Sequence, residues 1–342
     1  MTTNTLNVAL LGAGRMGIEH ARTLVGLPEV RVVAVADPDA QAARAAQRLC
    51  RAERIYADPL EAIHDPAVNA VVIVTPTTLH AAHIEAAARA GRAIFCEKPV
   101  ATDLRETERV LGVVASAGVP FQIGFQRRFD PAFAQAKARL DAGELGAVEQ
   151  FLAVGRDPAP APFEYLRGSG GIFLDQAIHD LDIARFLVGE VREVTAWGEA
   201  KIEPRLAELN DADTTTAVLH FENGAQGVVM NSRRAVYGYD VRTEVFGERG
   251  KFSLDATPKT PLLAYGEGVR MDHYHFFMDR FQEAYRLELA AFVRAVLDGT
   301  PPAPGARDAL ESLRLAVACQ TSLREGRSVR LEELREPLPT QG

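Results

Sequence analysis

The first third of the chain alternates short apolar runs with longer segments of helical character. The apolar runs hold four to seven residues, mostly valine, isoleucine and alanine, which is typical of strands buried on both faces. The predicted strands are residues 8–11, 30–36, 70–74, 93–96 and 120–124, and the predicted helices are residues 19–24, 40–51, 79–90 and 104–117. Strands separated by helices in this way predict a doubly wound parallel sheet.

Beyond about residue 125 the pattern changes to strands that are joined by tight turns, such as the one at Glu222-Asn223-Gly224. Such turns are typical of antiparallel hairpins. The strand candidates are residues 148–155, 194–202, 214–221, 226–232 and 242–246, and the helix candidates are residues 131–141, 172–188, 280–297 and 307–324. We therefore predict two domains. Residues 1–124 form the parallel-sheet domain, and residues 125–342 form an α+β domain with a large open, mainly antiparallel sheet.

The composition is that of a globular protein, with 342 residues of which 47% are hydrophobic and 25% charged. A net charge of −8 disfavours nucleic-acid binding, which needs a basic face. Cys50, Cys96 and Cys319 are too few and too scattered for a disulfide framework, which favours a reducing compartment. There is no signal peptide before Val8 and no apolar run near the roughly 18 residues of a membrane span. We therefore expect a cytoplasmic protein that binds no membrane.

Three glycines stand between the first predicted strand and the first predicted helix, in the sequence Gly12-Ala13-Gly14-Arg15-Met16-Gly17. In a GxGxxG motif of a Rossmann domain, the first glycine permits a tight turn and the second lets a pyrophosphate approach the backbone. The third lets the helix pack closely on the strand. The alternative is a plain strand-to-helix turn. The strand before the motif and the helix after it favour a dinucleotide site.

Asp37 ends the second predicted strand, 20 residues after Gly17. A carboxylate there can accept hydrogen bonds from the ribose hydroxyls and repels a 2′-phosphate, so we predict NAD rather than NADP. The neighbouring Asp39 is a candidate helix N-cap. Thr75 and Pro76 follow the third predicted strand, at the sheet edge where ligands of open α/β sheets bind.

Three further residues carry candidate acid–base chemistry. Lys98 follows the fourth predicted strand in Glu97-Lys98-Pro99, where an ammonium group near a nicotinamide can donate to a substrate oxygen; a surface salt bridge is the alternative. Asp175 and His179 are four residues apart in a predicted helix, so they lie on one face. A carboxylate beside an imidazole supports proton uptake by the histidine, although a structural pair is the alternative.

Together these features resemble the Gfo/Idh/MocA family of oxidoreductases. The motifs occur in the order and spacing of that family, over nearly the whole chain. They are the glycine motif, Asp37, Glu97-Lys98-Pro99, and Gly170-Gly171 with the later Asp175 and His179. Within the family the chain is most similar to the inositol 2-dehydrogenases. The segments that carry this likeness are residues 124–131, 156–158, 169–175, 179–182, 237–240 and 281–285.

The resemblance implies an NAD-dependent dehydrogenase that oxidises a ring hydroxyl of a cyclic polyol to a ketone, with myo-inositol the leading substrate. It implies that His179 is the acid–base group, that Lys98 and Asp175 assist it, and that the protein is a homodimer or homotetramer. The expected cofactor-binding residues are Gly12, Gly14, Arg15, Met16, Asp37, Thr75, Pro76, His80, Glu97 and Lys98. The residues expected to line the sugar pocket are Arg127, Asp157 and Tyr237.

Several alternatives stay open. Gln176-Ala177-Ile178 differs from the Met-Thr-Ile that close inositol dehydrogenases lead us to expect, so scyllo-inositol, another isomer or a pyranose remains a candidate substrate. A non-catalytic NAD-binding regulator is the alternative of a different class. We predict no metal, because neither the pair His273 and His275 nor the pair His80 and His83 has a third ligand of suitable spacing.

Two further interpretations concern the second domain. Arg233 and Arg234 end a predicted strand, and a solvated pair is the default interpretation. The predicted helices can cover only one face of the antiparallel sheet. Apolar residues left on the other face predict that copies of the chain pair through their sheets. The residues assigned to this uncovered apolar face are Val218, Val228, Met230 and Val245.

Overall fold

A computed structural model describes residues 5–335, which divide into two compact units. The first unit contains the chain up to Phe129 and also Glu283–Glu311, whereas the second contains Asp130–Gln282 and continues from Ser312. The first unit is thus built from two separate segments, a feature that the sequence pattern did not indicate. The boundary between residues 124 and 125 stays a prediction.

The first unit has a parallel sheet of six strands in the order β3-β2-β1-β4-β5-β6, which confirms the predicted doubly wound sheet. Its strands are β1 (Leu6–Leu11), β2 (Val30–Ala36), β3 (Arg54–Tyr56), β4 (Ala70–Ile73), β5 (Ala93–Glu97) and β6 (Phe121–Gly124). The helices are α1 (Arg15–Val25), α2 (Ala40–Cys50), α3 (Pro59–His64), α4 (Thr77–Arg89) and α5 (Leu104–Ala117). The short β3 and α3 were not predicted, because three and six residues are too few to show a period.

The second unit has a mixed sheet of seven strands in the order β12-β11-β7-β10-β9-β8-β15. The strands of the chain after β6 are β7 (Val148–Arg156), β8 (Val191–Glu199), β9 (Thr214–Phe221), β10 (Gln226–Ser232), β11 (Asp240–Gly247), β12 (Gly250–Leu254), β13 (Pro258–Tyr265), β14 (Val269–His273) and β15 (Val329–Arg330). The helices after α5 are α6 (Pro131–Asp141), α7 (Phe163–Gly168), α8 (Ile178–Leu187), α9 (Phe277–Arg280), α10 (Gln282–Asp298) and α11 (Ala306–Glu325).

Most neighbouring strands of this sheet are antiparallel, as predicted, and the hairpin β9–β10 turns at Glu222-Asn223-Gly224. One pair differs: β7 and β10 run parallel, and their last residues, Arg156 and Ser232, lie opposite each other. The carboxyl ends of β7 and β10 therefore meet at one edge of the sheet. β13 and β14 form a separate hairpin.

The core of the first unit explains why α10 belongs to it. Leu10, Val72 and Phe95 project from the parallel sheet into a buried cluster that also contains Leu289 and Phe292 of α10. Burial of such side chains contributes about 1.5–3 kcal/mol each. An apolar face on α10 is therefore needed to complete the core of a sheet whose last strand ends at Gly124, whereas α10 begins at Gln282.

The second sheet is covered on one face and open on the other. Val218, Val228 and Met230 alternate with fully buried neighbours and are half-buried, as expected for an uncovered face. Val245 contradicts the prediction, because it is 0% exposed and belongs to the core. Trp197, 59% exposed, lies beside Thr216 in the register and extends the apolar surface. None of the helices within residues 5–335 combines the length and apolar character needed to cross a membrane.

Candidate active site

The glycine turn after β1 has the geometry that the motif predicts. Gly12 has φ +102°, a value that L-residues with side chains rarely adopt. A Cβ on Gly17 would lie 2.2 Å from the carbonyl oxygen of Gly12, so α1 can approach the turn this closely only without a side chain there. The turn is fixed further by the hydrogen bond from the Gly12 N–H to the carbonyl of Ala36 (2.8 Å).

Gly14 differs from its two neighbours, because a Cβ at this position would meet no atom within 4 Å. Gly14 is exposed and directly precedes α1, so this space lies at the N-terminus of a helix. Space for a backbone approach and a helix N-terminus together fit the pyrophosphate of a dinucleotide. The residues present therefore fit NAD.

Asp37 is held against this turn by its own carboxylate. Oδ2 accepts a hydrogen bond from the Ala13 N–H (2.7 Å), and Oδ1 accepts one from the Asp39 N–H (2.8 Å). Each oxygen keeps a second acceptor position, and the residue is half-buried. The arrangement allows Asp37 to bond ribose hydroxyls while it fixes the turn. Asp39 caps α2 through Gln41 and Ala42, as its position predicts.

Two buried histidines of α4 hold the loop that follows β4. His80 is 2% exposed, and its Nε2 and Nδ1 lie 2.8 Å from the carbonyl oxygens of Thr75 and Pro99. His83 Nδ1 lies 3.1 Å from Thr75 Oγ1. Burial lowers the pKa of both imidazoles, and the two carbonyl contacts make His80 an anchor for the loop and for the segment after β5.

The segment that carries Lys98 has a second anchor on the other side. His20 of α1 is completely buried, and its Nε2 lies 2.7 Å from Glu97 Oε1. Glu97 was predicted to bind the cofactor; the structure shows this carboxylate engaged with the helix that begins at the glycine turn. Lys98 itself is half-buried, and its peptide bond to Pro99 is cis.

Asp175 lies in the second unit, within a π-helical turn, Phe173–Ala177, that leads into α8. The predicted helix is therefore present but widened at this residue, and π-helical turns are frequent at functional sites. Both carboxylate oxygens are engaged: Oδ1 accepts from Tyr165 Oη (2.9 Å), and Oδ2 accepts from Arg233 Nη1 (2.8 Å). His179 is half-buried in the first turn of α8.

Arg233 is the residue that sequence reasoning missed. The interpretation of a solvated arginine pair is wrong for Arg233, which is 2% exposed, and holds for Arg234, which is exposed. Desolvation of a guanidinium is costly unless a carboxylate compensates it, and Asp175 provides that carboxylate. The alternation along the strand is the signal that could have found it, because Arg233 is in phase with the buried Val229 and Asn231, whereas Arg234 is in phase with the uncovered face.

Gln176, where the sequence departs from the expected pattern, contacts the main chain. Its Nε2 donates to the carbonyls of Gly155 (3.2 Å) and Ser232 (3.0 Å). These carbonyls belong to the carboxyl ends of β7 and β10, so Gln176 ties the π-helical turn to that edge of the sheet. Asp157 lies at the same edge, where its N–H donates to the carbonyl of Ser232 (3.0 Å).

Tyr237 also reaches the end of β7. Its hydroxyl accepts from Arg156 Nη1 (2.8 Å) and donates to Asp240 Oδ2 (2.7 Å). Asp157 and Tyr237 are thus brought to one edge of the second sheet, together with the turn that holds Asp175. Arg127 lies in the first unit and is 3% exposed.

Comparison with known proteins assigns both parts of the chain. Residues 6–125 match the family model described as "Oxidoreductase family, NAD-binding Rossmann fold", and residues 133–253 match "GFO/IDH/MocA C-terminal domain". The chain is 39% identical over 332 residues to a myo-inositol 2-dehydrogenase of Thermotoga maritima, covering 96% of this chain and 99% of the relative.

Two further proteins extend the comparison. A scyllo-inositol 2-dehydrogenase (NAD(+)) of Bacillus subtilis is 39% identical over 330 residues, which is 96% of each chain. The crystal structure of scyllo-inositol dehydrogenase from Lactobacillus casei with bound NAD(H) and scyllo-inositol superposes with a TM-score of 0.90 at 28% identity. That match covers 96% of this chain and 99% of the other.

Proposed function

The chain belongs to the Gfo/Idh/MocA family of oxidoreductases, and on that premise we propose that it oxidises a ring hydroxyl of a cyclic polyol to a ketone with NAD. The observation that carries the proposal is the pairing of two features. The glycine turn leaves room at Gly14 for a pyrophosphate, and the Asp175 carboxylate is fixed through both its oxygens four residues before His179.

Each residue of the catalytic set has a role that follows from its chemistry. His179 takes the proton of the reacting hydroxyl, because imidazole titrates near working pH. Asp175, an acceptor through both oxygens, stabilises the imidazolium that forms. Lys98 donates to the reacting oxygen and stabilises its developing negative charge. NAD, when bound, supplies the hydride acceptor.

The remaining site residues divide between cofactor and substrate. The turn at Gly12 and Gly14 and the start of α1 bind the pyrophosphate, Asp37 binds ribose, and the loop anchored by His80 borders the nicotinamide. The other cofactor-binding residues that we propose are Arg15, Met16, Thr75, Pro76, Glu97 and Lys98. Arg127, Asp157 and Tyr237 bind the substrate hydroxyls. A site built from such hydrogen-bonding groups rejects analogues that lack a hydroxyl.

The substrate that we propose is myo-inositol, oxidised to 2-keto-inositol, with scyllo-inositol as the second candidate. The relatives named for the two isomers are both 39% identical to the chain, so overall similarity does not separate them. Gln176 contacts main-chain carbonyls at the ends of β7 and β10. Glutamine stands here in place of the expected methionine, so this difference changes the contacts at the sheet edge beside Asp157.

A substrate panel tests the function. The purified protein is mixed with myo-inositol, scyllo-inositol, other cyclitols or aldopyranoses, and with NAD or NADP, and reduction is followed by the nicotinamide absorbance. We expect the highest kcat/KM with myo-inositol and NAD. A preference for a pyranose would correct the substrate. Tight NAD binding with no reduction by any polyol would favour a non-catalytic regulator.

The proposal extends to assembly and location. The uncovered face around Trp197, Val228 and Met230 supports a homodimer or homotetramer paired through the sheets, and light scattering after size exclusion measures its mass. A Trp197→Glu variant should dissociate this oligomer.

The location that we propose is a reducing cytoplasm, which the three buried thiols Cys50, Cys96 and Cys319 support. Fractionation of the source cells, followed by detection of the protein in each fraction, tests this location.

A further inference from the structure

Arg233, which forms an ion pair with Asp175, has no role of its own among those assigned so far. Arg233 follows β10 directly, and its N–H donates to the carbonyl of Asp213 (2.9 Å), which fixes the point where the side chain leaves the sheet. The side chain is 3% exposed, and its Nη1 lies 2.8 Å from Asp175 Oδ2. The Asp175 side chain is 15% exposed, so the pair is partly shielded from water and salt and affects its neighbours more strongly than a surface pair does.

Titratable groups that interact with Asp175 in the second unit include Tyr165 and Asp211, and His179 follows Asp175 by four residues. Tyr165 donates to the carboxylate oxygen that Arg233 leaves open. Burial raises the pKa of Asp211, and the charges of Arg233 and Asp175 act on it in opposite directions. Within residues 5–335, Nε and Nη2 of Arg233 donate to no acceptor. Asp175 is thus the carboxylate that this guanidinium contacts directly.

We propose that Arg233 is a positioning residue for Asp175. It acts through the carboxylate and has no role in binding substrate or cofactor. The inference rests on the proposed function, in which Asp175 supports proton uptake by His179. Arg233 and Tyr165 each hold one carboxylate oxygen, and two fixed oxygens define the orientation of the group. A guanidinium stays protonated at every working pH, so the positive charge of Arg233 also opposes the effect of the Asp175 charge on His179.

Loss of the positive charge has a definite consequence for titration. If Asp175 stays ionised without Arg233, its uncompensated charge favours imidazolium and raises the pKa of His179. If Asp175 instead takes up a proton, its own pKa has risen. In both cases the acid limb of the kcat/KM profile, which requires a neutral base and an ionised carboxylate, moves to higher pH.

The first experiment compares Arg233→Met and Arg233→Lys with Arg234→Met, a matched control because the neighbouring Arg234 is exposed. We expect kcat of Arg233→Met to fall on the order of 100-fold through misorientation of the carboxylate, with the Kd for NAD unchanged. Arg233→Lys should recover part of the rate, because it restores the charge without the planar fork. Arg234→Met should keep kcat within about twofold.

A double-mutant cycle with Asp175→Asn separates positioning from a general structural role. If Arg233 acts through Asp175, adding Arg233→Met to Asp175→Asn lowers kcat little further. Should the two losses multiply, Arg233 acts independently of Asp175, and the inference is wrong. Arg233→Lys serves the same cycle if Arg233→Met does not fold.

The histidine ring signals in proton NMR spectra provide a readout that needs no turnover. The His179 signal is assigned from a His179→Gln variant, and its titration is compared between the wild type and Arg233→Lys or Arg233→Met. A higher midpoint in Arg233→Met, with less change in Arg233→Lys, supports the inference. An unchanged midpoint together with an unchanged acid limb of the kcat/KM profile overturns it. A wild type that titrates normally but oxidises no polyol refutes the proposed function instead, so the two failures are distinguishable.

Discussion

The glycine turn gives the sharpest prediction, because Gly14 and Gly17 respond differently to the same substitution. A methyl group on Gly14 would contact nothing within 4 Å, whereas on Gly17 it would lie 2.2 Å from the Gly12 oxygen. Gly14→Ala therefore leaves the protein folded and fills the space of the pyrophosphate. Gly17→Ala forces the turn and α1 apart.

The magnitudes follow from these distances. Gly14 has φ −70° and ψ −165°, which alanine adopts without strain. A cap penalty of up to about 1 kcal/mol is offset by about 0.4–1 kcal/mol from reduced entropy of the unfolded chain. Overpacking at Gly17 costs about 3 kcal/mol, a loss of roughly 6–12 °C in Tm. If the methyl on Gly14 prevents two charge-assisted hydrogen bonds of about 1.5 kcal/mol each, NAD affinity falls roughly 150-fold.

Two measurements on both variants check this reasoning. Scanning calorimetry should place Tm of Gly14→Ala within about 2 °C of the wild type and Tm of Gly17→Ala well below it. Titration calorimetry with NAD should show weak binding to Gly14→Ala. Native affinity in this variant would mean that residues 12–17 form a plain strand-to-helix turn and that the cofactor is held elsewhere.

Three more predictions concern single side chains. Asp37→Ala should lower NAD affinity on the order of 10-fold by loss of hydrogen bonds and raise the ratio of kcat/KM for NADP to that for NAD; an unchanged ratio would contradict its role at the ribose. His80→Gln should lower kcat on the order of 10-fold because the tie to the Pro99 carbonyl weakens, whereas His83→Gln should stay within about twofold; equal effects of both variants would refute this. Burial raises the pKa of the Cys319 thiol, so it stays protonated at pH 8 and iodoacetamide should label it only after unfolding; labelling of the folded protein, located by mass spectrometry, would contradict its burial.

The parallel sheet could be predicted because its signal is local. A strand such as β4, buried at every position, appears as an unbroken apolar run, and a helical segment follows it closely in the sequence. The hairpin at Asn223 could be predicted for the same reason, because a tight turn and two flanking runs are close in sequence. The short β3 has no such run.

The neighbours of Asp175 could not be predicted, because they depend on contacts between distant residues. Arg233 is 58 residues from the carboxylate it contacts, so strand alternation could place its side chain on the covered face but could not identify its partner. The π-helical turn contains Gln176, whose side-chain amide donates to main-chain carbonyls at the ends of two strands. Val245 was assigned to the wrong face because a single apolar residue does not show which side of the sheet is covered.

Deuterium transfer tests most directly whether the chain moves hydride from a polyol to the nicotinamide with His179 as base. Myo-inositol deuterated at carbon 2 is incubated with the enzyme and NAD, and the reduced cofactor is analysed by mass spectrometry. We predict one deuterium in the reduced cofactor from the wild type and almost none from His179→Ala, which should still bind NAD. A reduced cofactor without deuterium, or equal deuterium transfer by His179→Ala, would contradict the account.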